Sequence, residues 1–324
     1  MKSIHVVAVI CCLPLIAFSE PGDTPPDAPE MDPFEISPAT SGEEEDHDPF
    51  SAIEDIELAP DYSMPVDRGR GSFTLLAKDG TYMPGSHFAN WSWSMTADRS
   101  GHYYVGLIYR SNRPKLGIQI RVGTQAVLKG YAPRTHALRQ QDPLILGTAL
   151  LPEPGEYPVM MLTGDQSNVP AFQVEGIKFI PAPESEPLGQ SIDGSITLEA
   201  KTATTYAESM RYEPQETKNC LGFWREKDDW AEWKFDINAP GDFNVSLHYG
   251  CGNGNEGSEV AVLVNDQVFK FSVEDTGGFQ SWKALDLGTV SLSQNGGHKV
   301  AIIPLSKAGK SVMDVSKVTL TPRP

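Results

Sequence analysis

The stretch CLGFWREKDDWAEW, from Cys220 to Trp233, sets three tryptophans and one phenylalanine among six charged residues. An aromatic ring near the surface offers a flat apolar face to the C–H side of a sugar, while neighbouring polar groups can bind the hydroxyls. Phe223 and Trp224 are candidates for this role because they precede a charged turn. The same two rings could instead seal the edge of a hydrophobic core, and the stretch alone leaves both interpretations open.

Residue sets typical of enzymes are missing from the sequence. The seven histidines show no HExxH spacing, and no G-x-S-x-G elbow or Walker loop occurs. The glycine-rich GCGNGNEG, residues 250–257, links two predicted strands and opens no helix, which argues against a phosphate cradle. Acidic residues are plentiful around 226–232, but charged turns are usually solvated rather than paired for glycoside hydrolysis. We therefore expect no enzymatic activity.

Cys220 and Cys251 are the two cysteines beyond the N-terminal stretch. In an exported chain such a pair is often a disulfide. A bridge closing about 30 residues would stabilise the fold by roughly 3 to 4 kcal/mol on the chain-entropy estimate. We expect this bridge, with two buried free thiols as the alternative.

Four sequence matches in the same order divide most of the chain into two copies of one unit. Examples are FTLLAKDGTY with ITLEAKTATTY, and LILGTALLPEPGEYPVMML with LDLGTVSLSQNGGHKVAII. Self-similarity of this kind indicates homologous domains. We place them at residues 71–182 and 195–324, joined by a linker at residues 183–194.

Both copies consist of short runs with period-two alternation between Gly, Pro, Asn and Asp turns, such as FNVSLHYG and HKVAIIPL. This pattern predicts an all-β fold of two tandem antiparallel sandwiches, with a jelly roll as the first choice. Alternation places Trp233 and the equivalent Trp93 in the core and Trp230 on the opposite face of its strand. The offset between copies rises from 123 at the first strand to 140 at these tryptophans, so the second copy carries about 17 extra residues.

The second copy resembles family 6 carbohydrate-binding modules of the galactose-binding-like superfamily, as appended to secreted bacterial sulfatases and glycoside hydrolases. The motifs that carry the resemblance are LGFWREKDDWAEWKFDINAPGDFNVSLHYG, DTGGFQSWKALDLGTVSL and SVMDVSKVTL. The resemblance covers about residues 195–324 and reaches the first copy mainly through the repeat. It implies a non-catalytic β-sandwich whose ligand site lies in the loops at one end.

The resemblance also implies which residues bind the ligand. One aromatic would come from Phe223 and Trp224, and another from Phe279 and Trp282. Because Phe279 and Trp282 differ in strand parity, we expect only one of them to contact the ligand. Val312 stands where family members often have an asparagine, so one polar contact to the sugar is expected to be lost.

A structural calcium ion is a further implication of the resemblance, held by Glu199 on the first strand and Asp314 on the last. Calcium takes several oxygen ligands, and two carboxylates with backbone carbonyls could supply them. The equivalent positions in the first copy are Leu76 and Gln173. We therefore expect calcium in the second domain alone.

The N-terminal stretch has the pattern of a secretory signal peptide at residues 1–19, with Lys2 before an apolar run from Ile4 to Phe18. That run is shorter than the roughly 20 residues that a spanning helix needs. We expect a secreted, periplasmic or cell-surface protein with no membrane span in the mature chain.

Most of the formal net charge of −17 comes from residues 20–70, which we expect to be a disordered, acidic, proline-rich spacer. The rest of the chain has no basic stripe, so nucleic acid is not an expected partner. The sequence thus predicts a secreted, non-catalytic protein whose partner is a polysaccharide or glycan. The alternative is a structural or protein-interaction protein of the cell envelope that does not bind sugar. A larger envelope or extracellular assembly is a further candidate partner.

Overall fold

The computed structural model describes residues 69–84, 89–113, 115–135, 142–164, 172–187 and 189–323. The expected signal peptide, and all but the last two residues of the expected acidic spacer, lie outside these ranges. All of the described residues belong to one compact unit.

Strands account for nearly all regular structure in the described residues, so the all-β prediction is confirmed. Two short 3-10 turns, Ala77–Asp79 and Ala200–Thr202, follow the first strand of each sandwich. None of the helical segments described is long and apolar enough to cross a membrane.

The first nine strands form one sandwich. They are β1 Phe73–Leu76, β2 Thr81–Pro84, β3 Ala89–Ala97, β4 Gly101–Ser111, β5 Lys115–Val122, β6 Ala126–Pro133, β7 Leu144–Leu151, β8 Gly155–Thr163 and β9 Phe172–Pro181. A four-stranded sheet in the order β1-β9-β4-β7 and a five-stranded sheet in the order β2-β3-β8-β5-β6 share one hydrophobic core.

The remaining strands form the second sandwich. They are β10 Ile196–Glu199, β11 Thr204–Tyr206, β12 Arg211–Glu213, β13 Cys220–Gly222, β14 Trp230–Ile237, β15 Gly241–Cys251, β16 Glu259–Val264, β17 Gln267–Ser272, β18 Gly278–Leu292, β19 Gly296–Pro304 and β20 Asp314–Pro322. Its five-stranded sheet has the order β11-β14-β19-β16-β17. Its six-stranded sheet has the order β12-β13-β20-β15-β18, and β10 also pairs with β20.

The strand orders of the two sandwiches correspond, and the second adds the hairpin β12–β13. Trp93 and Trp233 are buried at corresponding places, and each indole N–H donates to the carbonyl oxygen of the last residue of the preceding first strand, at 2.9 Å. Strand alternation predicted both as core residues, and this is confirmed. The extra hairpin lies within the segment that the offset between copies identified.

Contacts between the two sandwiches are polar and buried. The Arg99 guanidinium, 5% exposed, donates to the Thr205 hydroxyl at 2.9 Å and to the Met210 carbonyl oxygen at 2.6 Å. In the expected linker, Gln190 accepts from the backbone N–H groups of Asn238 and Ala239. The linker is therefore fixed to the second sandwich by hydrogen bonds.

Candidate functional site

Four neighbouring strands of the six-stranded sheet begin or end along one border of the sheet, which we call the sheet edge. The end of β13, the start of β20, the end of β15 and the start of β18 lie side by side, with Gly250 paired to Asp314. Neighbouring strands are about 4.8 Å apart, so this edge is roughly 14 Å wide from β13 to β18. Phe223, which follows β13, and Phe279, the second residue of β18, therefore lie at the same edge.

Phe223 adopts a left-handed backbone conformation with φ of 59°. This region is unusual for a bulky side chain and persists only where the surroundings enforce it. Two donors hold the Phe223 carbonyl oxygen, the Ser209 hydroxyl and the Arg225 backbone N–H, each at 2.9 Å. The turn leaves the Phe223 ring partly exposed.

Three cations surround the Phe223 ring. The guanidinium carbon of Arg211 lies 3.7 Å from the ring centroid, that of Arg225 lies 5.1 Å away, and the Lys218 Nζ lies 5.7 Å away. All three are within the range of cation–π attraction. Partial burial, with the nearby Arg225 charge, lowers the pKa of Arg211 from its usual value. The ring thus lies in a locally positive environment that would favour an anionic group.

Phe279 packs against the backbone of two glycines, Gly250 and Gly252. A Cβ atom on Gly252 would lie 3.1 Å from the Phe279 ring, and one on Gly250 would lie 2.2 Å from the Phe279 carbonyl oxygen. Trp282 follows on the same strand and is 38% exposed. Phe279 is partly exposed and Trp282 is exposed, so both rings reach the surface, and the contact of only one of them with a ligand stays a prediction.

Trp224 is a core residue, so its prediction as a ligand contact is wrong. It is fully buried, and its indole N–H donates to the Asp229 carbonyl oxygen at 2.9 Å. Its own carbonyl oxygen accepts from the Val312 backbone N–H at 2.8 Å. The chain turns at Phe223, and the ring of the next residue, Trp224, packs in the hydrophobic core of the second sandwich. The edge-sealing interpretation therefore holds for Trp224.

Val312 is likewise fully buried in the main core of the second sandwich. It offers no polar side-chain atom at this edge. The polar contact that the sequence analysis expected to be lost has no replacement from this position.

Glu213, Cys220 and Asp314 form a buried cluster on the strands of this edge. Their potential ligand atoms all lie within 4.8 Å of one another, and Glu213 is directly opposite Cys220 in the β12–β13 ladder. The Cys220 thiol donates to the Asp314 Oδ2 at 3.6 Å, and the Gln280 side-chain amide donates to the same oxygen at 3.0 Å.

Two features reduce the negative charge of this cluster: a lysine pairs with Glu213, and the pKa of Asp314 is raised. The Lys218 Nζ lies 2.6 Å from the Glu213 Oε1. Burial, and then the neighbouring Glu213 charge, raise the pKa of Asp314 to about 7. Near neutral pH, Asp314 is therefore partly protonated while Glu213 is paired with Lys218. The cluster thus satisfies its own charges.

Glycine at position 222 makes room for this arrangement. A Cβ atom there would lie 2.2 Å from the Glu213 Oε2. The Glu213 carboxylate thus occupies the space above β13 that any larger residue would fill. Neither Glu213 nor Gly222 was singled out from the sequence.

Calcium does not fit the donor set around Asp314. Calcium takes six to eight oxygen ligands, whereas this cluster offers a thiol as its third member, an amide that donates rather than accepts, and a lysine already bound to Glu213. Glu199 is not a member of the cluster, and its carboxylate pairs with Lys201 at 2.7 Å. Among the described residues, Asp314 therefore shares its cluster with Glu213 and Cys220, and not with Glu199.

Cys220 and Cys251 are free thiols, so the disulfide prediction is wrong. Both are buried, on β13 and β15, and the intervening strand β20 separates them in the sheet. The Cys251 sulfur contacts the Val312 carbonyl oxygen at 3.9 Å rather than another sulfur. Burial raises the pKa of Cys251 to about 11 and that of Cys220 further still.

The cationic side chains around Phe223 were missed in the sequence analysis. Arg211, Lys218 and Arg225 all lie in or beside the segment that the second copy has and the first lacks. That insertion was the available signal. Only the fold of β12 and β13 shows that its charges converge on one ring.

A family model described as a domain of unknown function, DUF5077, matches residues 202–323. Comparison with curated proteins gave no match. Solved structures with a similar fold include a family 35 carbohydrate-binding module from Clostridium thermocellum. It has 15% identity and a TM-score of 0.33, and the match covers 40% of this chain and 98% of the module.

Two further solved structures, one a carbohydrate-binding module and one a lyase, are also similar to this chain. The C-terminal family 6 module of a marine laminarinase from Zobellia galactanivorans has 15% identity and a TM-score of 0.28, covering 39% of this chain and 98% of the module. A xanthan lyase from Paenibacillus has 13% identity and a TM-score of 0.32, covering 79% of this chain. This chain spans only a quarter of that enzyme, with 25% of its length matched.

Proposed function

We propose that the second sandwich is a non-catalytic carbohydrate-binding module that takes glycans bearing carboxylate or sulfate groups. The ligand lies along the sheet edge between Phe223 and Phe279. The observation that carries the proposal is the Phe223 ring, held partly exposed at a φ of 59° with three cations within 5.7 Å of its centroid.

The chemistry of this edge suits an acidic sugar. A guanidinium group binds a carboxylate or sulfate through two parallel hydrogen bonds, which an ammonium group cannot do. Arg211 covers one side of the Phe223 ring, and Arg225 is exposed beside it. The C–H face of a sugar packs on the remaining ring surface while its acidic group binds the guanidinium groups.

Phe279 and Trp282 supply the second contact at the far side of the edge. An edge roughly 14 Å wide accommodates more than one sugar residue, so a polymer rather than a monosaccharide is the expected ligand. The shallow, solvent-facing contacts imply that each site is weak and that binding benefits from several sites on one polymer.

Burial of the acids near this edge supports a binding rather than a hydrolytic role. Glycosidases need two carboxyl groups that reach opposite sides of the scissile bond. Glu213 and Asp314 are less than 10% exposed and are engaged with Lys218 and Gln280. The sequence also has a signal-peptide pattern at residues 1–19. We therefore propose that the protein binds polysaccharide outside the cytoplasm.

Affinity electrophoresis of the full chain in gels containing polygalacturonate, chondroitin sulfate or neutral dextran tests the proposal. The two acidic polymers are expected to retard the protein, and dextran is not. Phe223→Ala and Arg225→Ala are each expected to weaken retardation about tenfold, equivalent to about 1.4 kcal/mol. Because an anionic ligand is held by partly exposed charges, retardation should also fall with added salt.

Tyr131→Ala is the matched control, since Tyr131 is 63% exposed and also has a lysine over its ring, with the Lys115 Nζ 4.0 Å from the centroid. That variant should bind like the wild type. Equal retardation of the wild type and Phe223→Ala by the acidic polymers would refute the site. Absence of retardation by any glycan would favour the alternative of a structural or protein-interaction role.

A further inference from the structure

The buried cluster of Glu213, Cys220 and Asp314 combines one sulfur donor with two carboxylates. None of the three residues is more than 7% exposed, and one potential ligand atom from each lies within 4.8 Å of the other two. The sulfur that argues against calcium is a preferred ligand of zinc, which binds cysteine thiolate as well as carboxylate oxygen. The donor chemistry of the cluster therefore favours a borderline-soft divalent cation over a hard one.

The distance between the Cys220 Sγ and the Asp314 Oδ2 matches one edge of a tetrahedral metal site. The two atoms are 3.6 Å apart. Zinc lies about 2.3 Å from a thiolate sulfur and about 2.0 to 2.2 Å from a carboxylate oxygen, so two such ligands at a tetrahedral angle are about 3.5 Å apart. The strands that carry these residues are neighbours, with Leu221 paired to Val315. A cation can therefore replace the thiol proton between the two atoms without a rearrangement of the sheet.

Each carboxylate of the cluster has one oxygen that is free to bind a cation. Lys218 donates to the Oε1 of Glu213, and Gln280 donates to the Oδ2 of Asp314. Within the part of the chain that the structure describes, no hydrogen bond reaches the other oxygen of either carboxylate, although both residues are more than nine-tenths buried. Buried acceptors are rarely left unused. The two donors also orient the carboxylates, as groups behind metal ligands usually do.

The backbone leaves space beside these oxygens. The Oε2 of Glu213 lies over Gly222, where a Cβ atom would be only 2.2 Å from it. Gly222 is the last residue of β13, and the pairing of Leu221 with Val315 places it beside Asp314. A side chain at this position would therefore enter the cluster.

Charge favours a divalent ion. Metal ligands bind as thiolate and carboxylate, so the three residues then carry three negative charges against the one positive charge of Lys218. A doubly charged cation brings this buried group to neutrality. A singly charged cation would leave one buried charge without compensation, which is costly.

The ligand set belongs to the second sandwich alone. Among the described strands, the first sandwich has no counterpart of the hairpin β12–β13, which carries Glu213 and Cys220. Gln173 stands at the position equivalent to Asp314, since it pairs with the strand β4 that corresponds to β15. The aspartate on the last strand thus occurs in the same copy as the other two ligands.

We infer that Glu213, Cys220 and Asp314 bind one zinc ion. Its fourth ligand is a water molecule, which reaches the cluster from the side of Gln280, an exposed residue. The ion joins the hairpin β12–β13 to β20 and so stabilises the part of the sheet edge that precedes Phe223. This inference does not depend on which ligand the sheet edge binds.

Cobalt titration of the reduced full chain tests the inference, because cobalt(II) takes the same ligands as zinc and acquires a charge-transfer absorption band when it binds a thiolate. We expect one cobalt ion per chain, a thiolate charge-transfer band, and displacement of cobalt by equimolar zinc but not by excess calcium. Absence of the band in the wild type would overturn the inference. Displacement of cobalt by calcium would also overturn it.

Substitutions identify the ligands. Cys220→Ser keeps the size of the side chain, and it is expected to abolish the band and to weaken zinc binding at least about tenfold. Cys251→Ser is the matched control, because Cys251 is buried in the same sandwich but lies outside the cluster, and it should bind cobalt and zinc like the wild type. A band that persists in Cys220→Ser would assign the ion to another cysteine and overturn the site.

Glu213→Gln provides a second test that does not alter a cysteine. It removes a charged ligand while retaining the length of the side chain, so we expect zinc binding at least about tenfold weaker than in the wild type. Urea unfolding in the presence of a chelator establishes that each variant folds, and Glu213→Gln decides the question should Cys220→Ser fail to fold. Wild-type zinc affinity in Glu213→Gln would show that the inference is wrong.

Discussion

Replacing Arg99 with alanine would remove the buried guanidinium group that joins the two sandwiches. This side chain donates three hydrogen bonds to the second sandwich, to the Thr205 hydroxyl at 2.9 Å, the Thr205 carbonyl oxygen at 3.0 Å and the Met210 carbonyl oxygen at 2.6 Å. It donates a fourth to the Tyr103 hydroxyl of its own sandwich at 3.1 Å.

The expected cost follows from the groups that lose their donor. A buried acceptor left without a partner costs about 1 to 3 kcal/mol, and hydrogen bonds from a charged donor are at the high end of the range. Two carbonyl groups and two hydroxyl groups lose the same donor, and their losses are not additive. We expect the free energy of unfolding of Arg99→Ala to fall by about 3 to 5 kcal/mol.

Urea unfolding followed by tryptophan fluorescence measures this loss and shows whether the sandwiches unfold together. Arg99→Ala is expected to separate the two unfolding transitions, because the polar contacts between the sandwiches depend on this side chain. Arg110→Ala is the control, since Arg110 is 64% exposed and pairs with Glu175 on the surface, where such a pair contributes at most about 1 kcal/mol. A loss below about 1 kcal/mol for Arg99→Ala, with one unchanged transition, would refute the reasoning.

Three further predictions concern the candidate site. The pKa of Asp314 is raised from 3.8 to about 7 in the folded protein, so folding favours its protonated form. The free energy of unfolding should therefore fall as pH rises from about 4 to 7 and then level off, and urea midpoints of Asp314→Asn should lack this fall. Identical pH profiles would contradict the assignment. Gly222→Ala should lower the free energy of unfolding by about 1 to 3 kcal/mol, because its Cβ overlaps the buried Glu213 carboxylate. Gly117→Ala is the control, since no atom lies within 4 Å of its new Cβ. Equal melting temperatures of Gly222→Ala and the wild type would show that the Glu213 carboxylate moves freely. Finally, Cys220 and Cys251 should react with a thiol reagent only after unfolding, because both are buried with raised pKa values. A reductant should leave the melting temperature unchanged, and a lower melting temperature in reductant would indicate a disulfide.

The fold was largely predictable because it depends on local alternation repeated many times. Period-two runs predicted the strands, and parity placed Trp233 inside and Trp230 outside, as the two separate clusters show. The offset between copies located the insertion that became β12 and β13. Each of these inferences uses residues close together in the chain, whose relative orientation the strand geometry fixes.

The site residues were harder to predict because their roles depend on the third dimension. Phe223 and Trp224 are adjacent and both aromatic, yet a left-handed turn leaves one partly exposed and buries the other. Cys220 and Cys251 looked like a disulfide pair, but a strand between them keeps the sulfurs apart. Spacing along the chain does not determine either outcome.

The all-strand architecture, the position of the extra segment and the core tryptophans follow from the order of residues alone, because side chains along an extended strand must alternate between two faces. The contacts of Arg211 and Arg225 with the ring of Phe223, and of Glu213 with Asp314, are visible only in the folded chain. Those contacts join residues from different strands, and which strands are neighbours in a sheet depends on how the whole chain packs.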